Sequence, residues 1–196
     1  MPVTNVVKPH FLFTQCLYFF KVLIMKQLLV IRDADVGFKE KQAKYHTRTA
    51  ARTILKKGNL IALLHVSKHN YYKLPGGGVD KGESIKEGLK REILEEVGCT
   101  FKLVGEIGEI LEYRSEISLK QTSFCFLAEV EKEGKPEFTS EELENGFELV
   151  WITLDKAMNL VQNGKPDTYD GKFIVKRDFV FLKEAKQLLL SADATY

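Results

Sequence analysis

One proline and three glycines in a row, at positions 75–78, constrain the fold of this chain more than any other feature. Such a run sustains neither a helix nor the hydrogen-bond ladder of a strand, so it predicts a loop. After it, Ser84 with Glu87 three residues later has the pattern of a helix N-terminus, and Gly98 suits a left-handed helix end. The sequence therefore predicts a glycine-rich loop that leads into a helix from about Ser84 to Val97.

Short apolar or alternating segments on both sides of this helix predict a sheet. They are Gln27–Arg32, Thr47–Leu55, Leu60–Val66, Phe101–Val104, Glu109–Glu112, Thr122–Val130 and Leu149–Ile152. Positions 33–45 form a polar connection, positions 57–59 a hairpin turn, and a final amphipathic helix is expected over about Lys172 to Leu190. Strands combined with one central and one terminal helix indicate a layered α/β domain with a mixed sheet.

The amino-acid composition limits the classes of function that this chain can have. The 196 residues are 44% hydrophobic and 29% charged, which fits a folded domain and excludes a disordered or coiled-coil chain. A net charge of +2 is too small for nucleic acid or an anionic membrane to be bound over the whole molecular surface. Cys16, Cys99 and Cys125 are odd in number and widely spaced. Neither a disulfide framework nor a zinc site is therefore expected, and a reducing, cytoplasmic compartment fits best.

The first 24 residues differ from the rest because they contain two lysines and no acidic residue. The apolar run from Phe11 to Met25 has 15 residues and is interrupted by Lys21, whereas a membrane span needs about 20. We divide the chain into an N-terminal extension, 1–24, and a domain, 25–196. Our hypothesis is that Met25 is the natural start, and the alternative is a poorly ordered or peripherally packed arm. An intact mass of the native protein equal to the full sequence would contradict the internal start.

Three glutamates, Glu92, Glu95 and Glu96, lie within five positions of the predicted helix. At about 100° per residue, Glu96 lies about 40° to one side of Glu92 and Glu95 about 60° to the other, so all three project from one sector. Like charges at these spacings repel one another in water. Hard oxygen ligands gathered in this way are typical of a Mg²⁺ or Mn²⁺ site.

A solvated acidic helix face is the alternative explanation of this charge cluster. Ile85, Leu89 and Ile93 fall on neighbouring sectors, so the glutamates border the stripe expected to be buried and do not lie opposite to it. Gly88 lies one turn before Glu92, and its missing side chain would let another backbone segment approach the acidic patch. From the helix geometry alone, both interpretations stay open.

The residues from Gly77 to Gly98 resemble the Nudix box. That family's pattern is Gly, five residues, Glu, seven residues, Arg-Glu, an aliphatic residue, any residue, Glu-Glu, any residue, Gly and a final aliphatic residue. Every position matches except the last, which is Cys99, and a small apolar thiol can fill it. The resemblance implies a Nudix-type α/β/α sandwich with a mixed β-sheet over residues 25–196, and MutT-like pyrophosphohydrolase activity.

The same resemblance implies hydrolysis of a nucleoside diphosphate linked to another group, by attack of water at phosphorus, with Mg²⁺ or Mn²⁺ as cofactor. The implied metal ligands are Glu92, Glu95, Glu96 and the Gly76 carbonyl oxygen. Arg91 would pair with a carboxylate and fix the geometry of the helix. Glu83 would brace the loop or hold metal through water.

The general base varies within the family, so two candidates remain: Glu92, or an acid of the cluster Glu141, Glu142 and Glu144. From that cluster we select Glu144. A solvated turn is the alternative explanation of these three acids. The catalytic candidates are therefore Arg91, Glu92, Glu95 and Glu144.

The substrate-binding candidates surround the glycine run. They are Arg48, Arg52, Lys73, Tyr72, Gly77 and Gly78. The two arginines share one face of a predicted strand and could reach phosphate, although arginine on an edge strand is commonly solvated. Tyr72 could stack on a base or pack in the core, and exposure to solvent is the ordinary state of a lysine such as Lys73.

Two other function classes compete. Positions 77–84 nearly match the phosphate loop of nucleoside triphosphatases, but Glu83 stands where lysine is required and would repel phosphate, which excludes that class. A non-catalytic Nudix-like module that binds nucleotide or RNA as a sensor is the remaining alternative, although such modules usually lose box acids that this chain keeps. Further expectations are a small nucleotide substrate, no stable nucleic-acid complex, no membrane partner and, as is common in such proteins, a homodimer.

Overall fold

A computed structural model describes residues 25–193, so the proposed N-terminal extension, 1–24, lies outside the described residues. Seven strands lie within residues 25–193: β1 (Gln27–Arg32), β2 (His46–Lys57), β3 (Leu60–Val66), β4 (Tyr71–Lys73), β5 (Thr100–Arg114), β6 (Leu119–Lys132) and β7 (Phe147–Thr153). Four α-helices lie in the same part of the chain: α1 (Ile85–Val97), α2 (Ser140–Glu144), α3 (Leu154–Asn163) and α4 (Tyr169–Asp193).

The seven strands form one mixed sheet in the order β1-β5-β6-β2-β3-β4, with β7 paired to β3. β1 is parallel to β5 and β2 is parallel to β6, whereas the other pairs are antiparallel. β2 and β3 pair only at their hairpin, through Lys56 with Ile61 and Lys57 with Leu60. The sheet opens beyond the hairpin, and the glycine run lies beside β2 in that opening.

Helices pack on both faces of the sheet, which gives the predicted α/β/α arrangement. Leu89 and Ile93 of α1 are fully buried in the core on one face. Phe173 and Phe181 of α4 are fully buried in the core on the other face, which α3 also covers. None of the helices within residues 25–193 combines the length and the apolar character that a bilayer crossing requires.

The alternation of side chains along each strand supplies apolar residues to the cores on both faces of the sheet. Neighbouring residues of a strand point to opposite faces, so Ile54 of β2 packs under α3 and α4 while Leu55 packs under α1. In β3, Leu63 and Ala62 divide between the two cores in the same way. The period-two pattern that predicts these strands is therefore the pattern that fills the two layers.

Cys99 occupies an apolar position at the end of α1. It is free and lies in the core under that helix, and Cys125 is also free and buried. Burial raises the pKa of the Cys99 thiol to about 11, so the group is neutral at physiological pH. The thiol thus behaves as a small apolar side chain at the last position of the box.

β5 is one long strand where the sequence predicts two. The predicted segments Phe101–Val104 and Glu109–Glu112 both belong to it, and its register against β6 shifts near Gly105 and Gly108. A bulge places two residues of one strand opposite one residue of its partner. The alternation is broken there, and a single strand is read from the sequence as two.

Besides the short helix α2, two further elements are not predicted from the sequence. β4 has only three residues, too few for a periodic pattern. α3 begins at the residue after β7, so no turn residue separates the strand pattern from the helix pattern. Both elements depend on tertiary contacts, since β4 pairs with β3 and α3 buries Ala157 and Val161 against the sheet.

Candidate active site

α1 is fixed at both ends by the residues that predict it. The Ser84 Oγ accepts a hydrogen bond from the Glu87 N–H at 3.3 Å, and the Ser84 N–H donates to Glu87 Oε2 at 2.8 Å. Gly98 adopts a φ of 72°, and its N–H donates to the carbonyl oxygens of Ile93 and Leu94. This capping box and left-handed stop hold the acidic residues of the helix in one register.

The glycine run lies along β2 as an additional antiparallel segment. Three backbone hydrogen bonds join them: Ala51 N–H to the Gly77 oxygen (3.0 Å), Thr53 N–H to the Pro75 oxygen (3.2 Å) and Val79 N–H to the Thr49 oxygen (3.0 Å). Gly76 has a φ of +123°, and a Cβ there would lie 2.2 Å from the Ala51 oxygen, so only glycine fits. The Gly76 carbonyl oxygen accepts no hydrogen bond from any described residue.

Arg91 connects this loop to α1. Its Nε and Nη2 donate to the two carboxylate oxygens of Glu83 at 2.9 and 3.0 Å, and Nη2 also donates to the Gly78 oxygen at 2.9 Å. Its Nη1 donates to Glu92 Oε1 at 2.8 Å and to Glu95 Oε2 at 3.4 Å. A bidentate arginine–carboxylate pair fixes geometry as well as charge, so Arg91 sets the distance between the loop and the acids.

The Arg91–Glu83 pair keeps both groups charged. Hydrogen bonds from Arg91 and from the Asp80 N–H hold the pKa of Glu83 at about 2. Hydrogen bonds to Glu83 and Glu92 raise the pKa of Arg91 above its ordinary value. Glu83 therefore braces the loop as a permanent carboxylate.

The three glutamates of α1 lie in different environments. The side chain of Glu95 is 45% exposed, that of Glu92 is 15% exposed and that of Glu96 is 2% exposed. The Glu92 carboxylate lies against Gly77, where a Cβ would come within 2.0 Å of Oε2. Glu92 and Glu95 are thus partly open beside the loop, whereas Glu96 is enclosed.

Glu96 lies beneath the loop in a buried ion pair. Its Oε1 accepts from Lys73 Nζ at 2.7 Å, and its Oε2 accepts from the Gly76 N–H at 2.5 Å. Lys73 is also buried, and its ammonium lies 4.9 Å from the ring centroid of Phe147. Burial raises the pKa of Glu96, while the charge of Lys73 acts in the opposite direction. Lys73, a predicted substrate-binding residue, is thus engaged by an acid of α1.

The donor atoms around the loop are hard oxygens. Glu92, Glu95 and the unpaired Gly76 carbonyl oxygen are ligand types that Mg²⁺ and Mn²⁺ prefer, so the residues fit such a metal in chemistry. Across residues 25–193, no three His, Cys, Asp or Glu side chains are arranged to hold a metal ion. In the described arrangement Glu96 faces Lys73 and Glu92 faces Arg91.

Arg48 and Arg52 lie on β2, which is an interior strand of the sheet. The alternative that the two arginines are simply solvated assumes an edge strand. Arg52 is 6% exposed, and its Nη1 makes one hydrogen bond, to the Ala51 oxygen at 3.3 Å. Arg48 is exposed, and its Nη1 donates to Gln121 Oε1 at 3.0 Å. Burial lowers the pKa of Arg52 to about 10, and partial burial of the guanidinium end of the otherwise exposed Arg48 lowers the pKa of that residue.

No hydrogen bond or ion pair joins Tyr72 or Glu144 to the acids of α1. Tyr72 stacks on His65, with ring centroids 4.4 Å apart, and packs against the core under α3 and α4. Glu144 is the last residue of α2 and is exposed, and its carboxylate makes no hydrogen bond or ion pair with any residue within 25–193. The segment before α2 does approach α1, since the Glu137 N–H donates to the Glu95 carbonyl oxygen at 2.7 Å.

A buried polar network lies next to the glycine run and β2 and is not predicted from the sequence. Its members are Glu112, Arg114, Gln121, Ser123, Arg177 and Asp178. Glu112 accepts hydrogen bonds from Arg114 Nη2 (2.7 Å), Gln121 Nε2 (2.7 Å) and Ser123 Oγ (3.0 Å). Burial alone would raise the pKa of Glu112, but the charges of Arg177 and Arg114 lower it below its ordinary value.

The buried polar network reaches the glycine run from the side of α4. Arg177 Nε donates to Asp178 Oδ1 at 2.7 Å, and Asp178 Oδ2 accepts from the Leu74 N–H at 2.8 Å. At the other end of the network, Gln121 accepts from Arg48, whose guanidinium lies beside Gly78. The start of the loop is therefore connected to α4 through the buried Asp178, and its end lies beside the exposed Arg48, which is bonded to the network.

A sequence signal for this network does exist. Phe173, Arg177, Phe181 and Ala185 recur at intervals of four residues along α4, and all four are buried. An arginine in such an apolar stripe indicates a buried charge that needs partners. The partners Glu112 and Gln121 lie on other elements, so the stripe alone does not identify them.

The chain resembles known proteins in sequence and in structure. The family model of the NUDIX domain matches residues 45–173. The RNA pyrophosphohydrolase of a Sulfurovum species is 28% identical over 109 residues, 51% of this chain and 69% of that protein. The corresponding protein of a Nitratiruptor species is 35% identical over 89 residues, which span 40% of this chain and 57% of the relative. The ADP-ribose pyrophosphatase of Bacillus subtilis (strain 168) is 28% identical over 168 residues, 81% of this chain and 87% of the relative.

Solved structures share the architecture. A NUDIX hydrolase from Nitrosomonas europaea superposes with a TM-score of 0.53 at 14% identity, covering 72% of this chain and 90% of that one. A UDP-X diphosphatase gives a TM-score of 0.50 at 16% identity and covers 74% of this chain and 66% of the other. At these identities the likeness concerns the fold alone.

Proposed function

The chain belongs to the Nudix family of hydrolases, which act on acid anhydrides of phosphate, and we propose that it cleaves the pyrophosphate linkage of a nucleoside diphosphate derivative. The observation that carries this proposal is the corner in which Arg91 holds the glycine loop against the partly exposed Glu92 and Glu95. A diphosphate is anionic, so its hydrolysis needs cations that neutralise it and a base that activates water. This corner offers residues for both tasks.

Mg²⁺, or Mn²⁺ in its place, is the proposed cofactor, and when bound it supplies charge neutralisation and lowers the pKa of water. The proposed ligands are Glu92, Glu95, Glu96 and the Gly76 carbonyl oxygen. For Glu96 this role requires its carboxylate to give up or share the contacts with Lys73 and the Gly76 N–H. Arg91 is proposed to hold the loop and the acids in register.

Gly77 and Gly78 let an acid and a cation approach the loop together. A Cβ on Gly77 would overlap the Glu92 carboxylate, and a Cβ on Gly78 would lie 2.8 Å from Arg48 Nη2. We propose that Arg48 and Arg52 bind the substrate's phosphates, with Gly77 and Gly78 leaving room for them. Lys73 then balances Glu96 and does not contact substrate directly.

Two residues are proposed for the general base. Glu92 lies beside the loop and is partly exposed, so it can reach a water molecule near the diphosphate. Glu144 is exposed and follows the segment that is hydrogen-bonded to the Glu95 carbonyl oxygen. Replacement of the base by glutamine should remove the acidic limb of the pH–rate profile, whereas replacement of the other residue should leave that limb in place.

ADP-ribose is the first substrate to test, because the relative named for it matches 81% of this chain. The 5′ end of RNA is the second, because relatives named RNA pyrophosphohydrolase reach 35% identity over a shorter segment. We further propose that the protein works in the cytoplasm on small nucleotides, without a stable nucleic-acid complex, and forms a homodimer. Its expected substrate is a diffusible molecule and not a membrane component.

The test is a substrate panel on the full chain with Mg²⁺ and with Mn²⁺. ADP-ribose, other nucleoside diphosphate derivatives and a 5′-triphosphorylated RNA are each followed by product release. We expect turnover that EDTA abolishes and that Glu92→Gln lowers by about 100-fold or more, since a metal site contributes several kcal/mol. Glu106→Gln, an exposed glutamate of β5, is the matched control. Nucleotide binding without turnover of any panel member would favour the sensor module.

A further inference from the structure

A groove lies beside α4 and outside the catalytic corner. It has a volume of about 470 Å³, which is within the range of about 300–1,000 Å³ that is typical of sites for small organic ligands. Three parts of the chain line it: the 3₁₀ turn Asp33–Val36, positions 162–166 at the end of α3 and after it, and one face of α4. No residue that we propose for metal or substrate binding belongs to this lining. The groove therefore needs an explanation of its own.

The α4 residues of the groove lie on one face of the helix. Lys172, Val175, Lys176 and Phe179 recur at the spacing i, i+3, i+4 and i+7, and all four are half-buried. At about 100° per residue, Phe179 lies about 160° from Arg177 around the helix axis. Because Arg177 belongs to the buried polar network, the body of the helix separates the groove from that network.

Hydrogen bonds and core packing hold the segments that line the groove. Asp33 is buried, and its Oδ1 accepts from the Tyr169 O–H at 2.5 Å. The Lys165 N–H donates to the Asn70 carbonyl oxygen at 3.2 Å. Three apolar residues of the lining also pack against the core under α3 and α4: Val36, Val175 and Phe179. The groove is thus preformed, as ligand sites in proteins commonly are.

Three lysines bring positive charge to this apolar lining. They are Lys165, Lys172 and Lys176, and none of their ammonium groups forms an ion pair with any residue within 25–193. Lys176 Nζ donates to the Asp35 carbonyl oxygen at 3.1 Å, and Lys172 Nζ lies 4.7 Å from the ring centroid of Phe38. An ammonium group has three N–H donors, so each of these lysines keeps donors that an anion can use.

The neighbouring acids do not balance the three lysines. Asp35 is the acid of the lining, and its carboxylate caps the 3₁₀ turn by accepting a backbone N–H at 2.9 Å. Asp167 and Asp170 follow the lining residue Pro166 but pair elsewhere, at 3.0 Å with a histidine of the turn before β4 and at 2.8 Å with an arginine of β5. Three lysines against one carboxylate give the groove an excess of positive charge.

We propose that this groove binds a small aromatic anion, a ring system that carries a phosphate or carboxylate group. The ring packs against Val175 and Phe179, since aromatic side chains favour contact with other rings. The anionic group accepts hydrogen bonds from Lys172 and Lys176, with Lys165 adding charge from the connection after α3. This site is additional to the proposed catalytic site and does not depend on it.

The test is a fluorescence titration of the full chain with 8-anilinonaphthalene-1-sulfonate, a dye that combines aromatic rings with one anionic group. EDTA and the absence of nucleotide keep the measurement apart from catalysis, and low salt leaves the lysine charges unscreened. We expect saturable binding that Lys172→Gln and Lys176→Gln each weaken several-fold. The double variant should bind about tenfold or more weakly, because two charged donors are lost. Near-ultraviolet circular dichroism confirms that each variant is folded.

Matched variants locate the dye. Lys186→Gln removes a lysine of α4 that pairs with Asp155 outside the groove, so the affinity should stay within about twofold of wild type. Lys176→Arg keeps the charge and should also retain binding. Arg48→Gln alters the proposed active site and should leave the dye affinity unchanged. Val175→Glu places a carboxylate in the apolar lining and should abolish binding even if a lysine variant does not fold.

Competition identifies the chemistry of the ligand. AMP is an aromatic phosphate and salicylate an aromatic carboxylate, and at least one of them should displace the dye. Inorganic phosphate lacks the apolar body and should not. Displacement by neither aromatic anion, or equal displacement by inorganic phosphate, would overturn the proposal.

Three further results would also overturn it: unchanged affinity in the folded Lys172, Lys176 and Val175 variants, no saturable binding by wild type, or a loss in Arg48→Gln as large as in Lys172→Gln. A wild-type dimer that Lys172→Glu dissociates in sedimentation velocity would identify the groove as a subunit interface instead. Since no step of this test measures turnover, its failure leaves the proposed function standing, and a chain without hydrolase activity could still bind the dye here.

Discussion

α1 and α4 hold the glycine run from opposite sides by the same kind of contact. On α1, Glu96 accepts the Gly76 N–H and pairs with Lys73. On α4, Asp178 accepts the Leu74 N–H and pairs with its own neighbour Arg177. The helices differ in what surrounds this contact, since α1 also carries two partly exposed acids whereas both members of the α4 pair are buried. The difference leaves the α1 side open for the chemistry that we propose, whereas the α4 side holds the loop in place.

Removal of the α4 carboxylate should give the largest loss of stability. Asp178→Ala leaves Arg177 without its closest anion and the Leu74 N–H without an acceptor, both in a buried environment. Breaking a buried pair in this way costs about 3–5 kcal/mol. Urea unfolding followed by circular dichroism measures the change in the free energy of unfolding. Asp155→Ala, which removes an exposed pair between α3 and α4, is the control and should cost at most about 1 kcal/mol. Equal losses in the two variants would show that α4 does not depend on its buried pair.

On α1 the corresponding experiment should affect rate and not stability. Glu95→Gln removes a half-exposed carboxylate whose side-chain contact with Arg91 is long, at 3.4 Å, so unfolding should change by less than about 1 kcal/mol. Metal-dependent turnover should fall by about 100-fold or more if Glu95 is a ligand. Steady-state kinetics and urea unfolding on the same preparation separate the two effects. Wild-type turnover by the Glu95→Gln variant would contradict a chemical role for this face of α1.

N-terminal capping should contribute equally to the stability of α1 and α4. It therefore serves as a reference for the comparison between the two helices. Ser84 Oγ accepts the Glu87 N–H at the start of α1, and Thr168 Oγ1 accepts the Gly171 N–H at the start of α4. Ser84→Ala and Thr168→Ala should each lower the free energy of unfolding by about 1 kcal/mol. Thermal or urea unfolding measures the change in both variants. If one cap matters much more than the other, the contrast between the helices lies in local structure and not in their partners.

The smallest effect is expected at the Arg91–Glu83 pair. Within the described residues, α4 has no equivalent of this pair. Arg91→Lys keeps the charge but loses the bidentate geometry, so the pKa of Glu83 should rise from about 2 towards its ordinary value. A lowered carboxyl pKa stabilises the fold above about pH 4.5, and this contribution is lost as the pH falls towards 2. Carboxyl NMR titration of Glu83 in both proteins measures the shift, and an unchanged pKa would contradict the clamp.

The corner around α1 is predictable from the sequence because its determinants are local. The N-cap at Ser84, the stop at Gly98 and the glycine run all depend on residues within a few positions of each other. The α/β/α architecture is also confirmed, since alternating segments became strands of one mixed sheet. Even the role of Gly88 follows from spacing, because a Cβ there would lie 3.3 Å from the Val79 Cα of the loop.

The partners of the buried charges are not predictable in the same way. Lys73 is buried against Glu96, and Arg52 is enclosed on an interior strand, although each was expected to be solvated if it did not bind substrate. The network around Glu112 joins β5, β6 and α4, so no sequence window contains it. Periodicity indicates which face of an element is buried, but pairing between distant elements is set by the tertiary fold.

The parallel pairing of β1 with β5 determines when the sheet can be completed during synthesis. Gln27 pairs with Glu109, so β1 has no partner until about half of the domain has left the ribosome. β5 and β6 are neighbours in sequence and pair antiparallel, which lets them form early at small loop-closure cost. β1 should therefore acquire protection later than β5 and β6 in pulsed amide hydrogen exchange, and the newly made chain is vulnerable to strand addition at the free edge of β5 until β1 docks.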